Sequence, residues 1–158
     1  MRVLAFDQST RISGYSVFNE GEYVMSGVID LSENKNTEDR SRQMGLAICE
    51  KISEYKPDII VIEEVALQSN ADTLKKLARI QGVAIGFAAA HNIPLYIIEP
   101  TRWRSKLNYK QGRSVKREEL KRQSLDYVKN TFGLELSEDA AEAVCINVVA
   151  QQIYDDEI

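Results

Sequence analysis

The sequence predicts an α/β layered domain, a mixed five-stranded sheet flanked by helices. Three observations carry this. Three strand-like segments open the chain in succession, separated by short polar turns. Two more follow, each reached through a stretch with helical spacing. The alternation of strand and helix after the opening run fits sheet and helices stacked in layers. No internal repeat or linker interrupts the chain. One domain over residues 1–154 is expected, with an acidic tail at 155–158.

Residues 3–7 form the first expected strand, which runs from Val3 into Asp7. Residues 14–19 and 23–29 are the second and third, joined through Glu20-Gly21-Glu22 as an antiparallel meander. Residues 36–55 have helical spacing, with Met44, Ala47, Ile48, Ile52 and Tyr55 on one stripe. Asn36 or Thr37 can cap this helix, and Pro57 ends it. Residues 59–62 are four β-branched apolar residues, the pattern of a strand buried on both faces in a parallel sheet. Residues 70–91 form a long helix. Gly82 and Gly86 share one face of it, suiting close approach of another backbone, in this chain or in a second copy. Residues 94–98 are the fifth strand, and residues 100–106 a short helix. A helix over 115–132 capped by Ser114, and a last helix over 137–154 capped by Ser137, complete the set.

Carboxylates stand where this fold would gather them. Asp7 ends one apolar strand, and Glu63-Glu64 end another. An ionised carboxylate withdrawn from water needs a compensating partner. If the two strands are neighbours, Asp7 converges with one of Glu63 and Glu64, and alternation sends the other to the opposite face. Alternation alone leaves the choice open. Asp139 and Glu142 lie three apart on a helix and share a face, beside the small residues Ala140, Ala141 and Ala143. Each acid has an ordinary reading too: an ion pair with an arginine, a solvated strand end, or an acid favoured by a helix N-terminus. Their joint occurrence, with no basic partner close in sequence, favours a metal site. Oxygen-only ligands suit Mg²⁺ or Mn²⁺ rather than zinc.

Composition limits the alternatives. No apolar run approaches the roughly 18–20 residues of a membrane span, and the N-terminus has no signal-peptide pattern, so a cytoplasmic protein without membrane partners is expected. Cys49 and Cys145 read as reduced, buried thiols, and His91, the sole histidine, as structural. The formal net charge is −4, yet the window from Arg102 to Arg122 holds nine Lys/Arg and two acids. That window carries +7 against −11 elsewhere, which gives the domain a positive patch suited to nucleic acid. Within it, Arg102, Arg104, Lys106, Lys110, Arg113, Lys116 and Arg117 are candidate DNA contacts. Trp103 is a candidate to stack on a base, with a buried core position as its rival.

These motifs together resemble the RuvC-like Holliday-junction resolvases of the RNase H-like superfamily. Asp7-Gln8-Ser9-Thr10-Arg11-Ile12-Ser13-Gly14-Tyr15 is similar to the family's first motif. The stretch IIVIEEV is similar to the second, where the first acid is the ligand, which selects Glu63. Asn70-Ala71-Asp72 and Gln81-Gly82-Val83-Ala84 recur in family order, and Asp139-Ala140-Ala141-Glu142-Ala143 is similar to the last motif. The resemblance implies an RNase H-like fold and a homodimer matching the symmetry of a four-way junction. It implies two-metal-ion hydrolysis of that junction by Asp7, Glu63, Asp139 and Glu142, with two Mg²⁺ per site and Mn²⁺ able to substitute. Lys106 and Lys116 look like the family's two functional lysines, with Lys116 the better match and a candidate to polarise the scissile phosphate. Two departures stand out. Glu142 replaces the usual Asp or His, and Ala66-Leu67 stands where an aromatic wedge is common. Phage-encoded members vary in these ways, so a phage source is expected. The departures also keep open a broader branched-DNA nuclease cutting forks or flaps, or a binding module without catalysis.

Overall fold

The computed structural model describes residues 1–66 and 70–157, with side chains to residue 153. Leu67 of the expected wedge position and Ile158 of the expected tail lie outside the described residues. The elements run β1 (Arg2–Asp7), β2 (Ile12–Asn19), β3 (Glu22–Asp30), α1 (Thr37–Tyr55), β4 (Ile59–Glu63), α2 (Ala71–Ala90), β5 (Leu95–Ile98), α3 (Pro100–Lys106), α4 (Arg117–Phe132) and α5 (Glu138–Glu157). The sheet order is β3-β2-β1-β4-β5. β1 is central: it pairs antiparallel with β2 and parallel with β4, and β4 pairs parallel with β5. This is the mixed five-stranded sheet that the sequence predicts.

The β2–β3 hairpin turns on Glu20 and Gly21, both with positive φ, 51° and 77°. Such a turn matches the twist of the strands it joins. α1 starts at Asn36, whose side chain accepts from the Asp39 N–H at 3.0 Å, and ends on Lys56 in the left-handed region.

Strand alternation divides the core in two. Leu4, Phe6, Ile60 and Ile62 face Met44, Ile48 and Ile52 of α1 and Ile80, Ala84 and Ala88 of α2. Val3, Ala5 and Val61 face Ala141, Val144, Cys145 and Val149 of α5, with Trp103 and Val128 in the same cluster. α5 lies close on the sheet because Ala140, Ala141 and Ala143 are small and buried. Cys49 and Cys145 are free thiols.

Two expectations are corrected. α4 begins at Arg117, not at residue 115, and its cap is Lys116 without a side-chain cap bond, not Ser114. Residues before it are taken up by a turn in which the Val115 N–H donates to the Gly112 carbonyl at 3.0 Å. α5 continues through Glu157, so residues 155–157 extend the helix rather than forming a separate tail. Among the described residues no helix is long and apolar enough to cross a membrane.

Candidate active site

Phe6 pairs with Ile62 in the parallel β1–β4 ladder, so Asp7 and Glu63 are the next residue on each strand. Alternation puts both on the face of Val3, Ala5 and Val61, the face that α5 covers. Register therefore separates Glu63 from Glu64. Glu64 falls just beyond the strand, where its carboxylate accepts from the Val65 N–H at 2.8 Å.

Gly14 brings in the acids of α5. It pairs with Asp7 across the β1–β2 ladder, and a Cβ on it would lie 1.9 Å from the Asp139 carbonyl oxygen. Only a hydrogen fits there, so the first turn of α5 docks directly on the strand beside Asp7. Asp7, Asp139 and Glu142 each offer a carboxylate oxygen, and these oxygens lie within 4.8 Å of one another. The structure thus gathers three of the four expected ligands. The fourth, Glu63, stands beside them but is turned toward Trp103, whose indole N–H donates to Oε2 at 2.6 Å.

The four acids share a cleft of about 650 Å³ that Arg104 and Arg117 also line. Among the described residues no salt bridge reaches any of the four. Burial raises the pKa of Asp7 well above the usual carboxylate range, and the charges of Glu142 and Glu63 raise it further. Burial pushes Glu63 up to about 7, against the opposing pull of Arg104 and the Trp103 hydrogen bond. Burial likewise raises Glu142, which shares a hydrogen bond with Asp7, and Asp139, which Lys121 pulls the other way. Burial and mutual repulsion thus disfavour the charged form of every acid in the cluster. The donor set, carboxylate oxygens close together and lacking an ion-pair partner, fits a hard divalent cation.

The basic window divides on inspection. Trp103 is corrected: it is 0% exposed and packs edge-on to Tyr109, so it has no free face for a base. Lys116 stands at the N-cap of α4. It lies in a neighbouring depression with Lys110, Ser114 and Arg122, while the next residue, Arg117, lines the acidic cleft. Arg104 lines it too, its guanidinium 5.0 Å over the Trp103 ring, and its Nε is buried without a hydrogen-bond partner. Arg102, Lys106 and Arg113 are exposed.

Sequence reasoning missed several supports. Ser13 Oγ accepts from the Ser9 N–H at 2.9 Å and donates to the Ser9 carbonyl at 3.0 Å, folding the loop after Asp7. Arg40 of α1 pins that loop through Nε to the Thr10 carbonyl at 2.9 Å. Ser9 and Ser13 fall within the first motif, whereas Arg40 carries no local signal because its partner lies on another segment.

A family model described as crossover junction endodeoxyribonuclease RuvC matches residues 3–149. A curated relative of that description from Vibrio vulnificus is 35% identical over 98 residues, 60% of this chain and 56% of the relative. The chain thus spans about half the length of the curated relatives it matches. T. thermophilus RuvC in complex with Holliday junction substrate superposes with a TM-score of 0.71 at 17% identity, over 94% of this chain and 91% of that one. The yeast mitochondrial Holliday junction resolvase Ydc2 gives 0.58 at 16% identity, over 92% and 75%. At these identities the two structures speak for a shared fold.

Proposed function

Because this chain belongs to the crossover junction endodeoxyribonuclease RuvC family, we propose that it is a metal-dependent endonuclease that cleaves four-way junction DNA. The observation that carries this is the meeting of Asp7, Asp139 and Glu142 at one point, with Glu63 in register beside them. Asp7, Glu63, Asp139 and Glu142 would hold two Mg²⁺, for which Mn²⁺ would substitute. Bound there, the metal supplies Lewis-acid activation of water and charge stabilisation at the phosphate.

The protein's own residues do the rest. Gly14 and the small face of α5 hold the acids at fixed positions, so little reorganisation is needed when a cation enters. Arg104 and Arg117 place positive charge on the cleft wall, where a phosphodiester would sit across from the acids. Arg102, Lys106, Lys110, Arg113 and Lys116 are exposed and would contact the phosphate backbone of branched DNA. In this reading Lys116 grips DNA rather than polarising the scissile phosphate.

Cutting two strands of a two-fold junction calls for two sites, and a C₂ homodimer supplies them. α2 is the interface we favour. Among the described residues nothing lies within 4 Å of where a Cβ on Gly82 or Gly86 would be, so these glycines serve no packing seen there. Val83 and Ile85 beside them are 45% and 39% exposed.

The test is cleavage of end-labelled four-way junction, Y-fork and linear duplex with Mg²⁺, Mn²⁺ or EDTA, using wild type and Asp7→Asn. Paired symmetric nicks on the junction, absent in EDTA and in Asp7→Asn, are expected. Equal cutting of forks would favour a general branched-DNA nuclease, a reading supported by exposed Ala66 at the expected wedge position. Tight junction binding with no metal-dependent cut would leave a binding module.

A further inference from the structure

Trp103 sits where its packing alone gives it no reason to meet an acid of the cleft. Its ring is fully buried in the core between α3 and α5, edge-on to Tyr109 at 5.5 Å. Tyr109 is itself anchored, its hydroxyl donating to Ser124 Oγ at 2.9 Å. The indole therefore has one orientation. A buried indole N–H needs an acceptor, and this one uses Glu63 Oε2 at 2.6 Å. The face of the same ring carries the Arg104 guanidinium at 5.0 Å. One rigid side chain thus fixes an acid on its edge and a cation on its face, and both line the cleft.

Glu63 needs such a support more than its neighbours do. Glutamate has one more rotatable bond than aspartate, and fixing so flexible a side chain costs roughly 1.5–2 kcal/mol of rotamer entropy. The bond to Trp103 occupies Oε2 and leaves Oε1 without a partner among the described residues.

We propose that Trp103 is a positioning residue of the metal centre: its indole N–H holds the Glu63 carboxylate by Oε2 so that Oε1 is presented to a divalent cation shared with Asp7, Asp139 and Glu142. This rests on the metal-centre reading given above. Partners that orient a metal ligand from behind contribute about 10–100-fold in metal affinity. Trp103→Phe keeps the aromatic packing and removes only the N–H.

The experiment uses Mg²⁺ alone, without DNA. Its binding midpoint is read from the rise in melting temperature with Mg²⁺ concentration. Wild type should show a saturable rise, and Trp103→Phe should fold but need about tenfold or more Mg²⁺ for the same rise. An equal or lower midpoint in Trp103→Phe overturns the proposal and leaves the metal centre standing. No Mg²⁺ response in wild type overturns the metal centre itself, and this proposal with it. A second readout covers a variant that fails to fold. Trp103 is the only tryptophan, so ¹⁵N-labelled wild type has a single indole N–H resonance. It should move with the Mg²⁺ midpoint, and in Glu63→Ala it should start elsewhere and stop responding. An indole resonance unmoved by saturating Mg²⁺ also overturns the proposal.

Discussion

The interface between α5 and the sheet holds two polar clusters, about a turn and a half apart along the helix. They follow opposite rules. At the inner cluster, Asn147 Nδ2 donates to the Val3 carbonyl, the Ser16 carbonyl and Ser16 Oγ, each at 3.1 Å. Ser16 Oγ donates in turn to the Ala143 carbonyl at 2.7 Å, and Gln151 Nε2 to Asn147 Oδ1 at 3.0 Å. That cluster is uncharged, fully buried at Asn147 and Ser16, and satisfied. At the outer cluster Asp7, Asp139 and Glu142 converge with Glu63 beside them, no salt bridge reaches any of the four among the described residues, and burial raises every one of their pKa values. The first cluster seats the helix. The second sets burial and like charges against one another at the same interface, and a bound cation would offset both.

The sharpest way to break this contrast is Asp7→Asn. It should lower junction cleavage by more than about a hundredfold, since even indirect supports of a metal ligand contribute 10–100-fold. The metal-free variant should also be more heat-stable than wild type, because one like charge is gone. A relief of about 1 kcal/mol would raise the melting temperature by roughly 2–4 °C. A lower melting temperature in calorimetry would show that the outer cluster is not strained.

Gly14→Ala attacks the close contact of β2 with the first turn of α5. A methyl group 1.9 Å from the Asp139 carbonyl must push α5 outward. The expected cost is about 1–3 kcal/mol in denaturant unfolding, together with weaker Mg²⁺ response. Asn147→Leu tests the satisfied cluster: it removes the buried side-chain bonds to Val3 and Ser16, at a cost of about 1–3 kcal/mol. Unlike Asp7→Asn, it should lower stability with or without Mg²⁺.

The pH dependence sharpens the comparison more gently. Glu63 titrates near 4.5 unfolded and at about 7 folded. Between those values the folded state binds more protons, so stability of the metal-free protein should fall as pH rises from about 4.5 to 7. Unfolding curves across that window should flatten in Glu63→Gln and in saturating Mg²⁺. The smallest effect belongs to Lys116→Ala. It should reduce the slope of log binding constant against log salt by about 1, with little change in the cleavage rate at saturating DNA, since Lys116 lies outside the acidic cleft.

Much of the site was legible because it sits at the ends of regular elements. The apolar runs before Asp7 and Glu63 and the three-residue spacing of Asp139 and Glu142 are properties of the chain itself, and the strands and helix formed as expected. Lys116 shows where reading stopped. It and Arg117 are adjacent, and the turn at Gly112, which starts α4 later than expected, puts Arg117 and not Lys116 in the cleft. Trp103 shows the same limit from the other side: between two arginines it could stack on a base or enter the core, and α3 turns it into the core.

By itself, then, the sequence determined the order of elements, the layered α/β class and the positions of four acids along it, because hydrophobic period and helix spacing are local. The tertiary structure alone decided that Gly14 admits α5, that Arg104 and Arg117 line the cleft with the acids, and that Trp103 holds one of them. Each depends on strand register or on contacts between residues far apart in the chain, which no local pattern encodes.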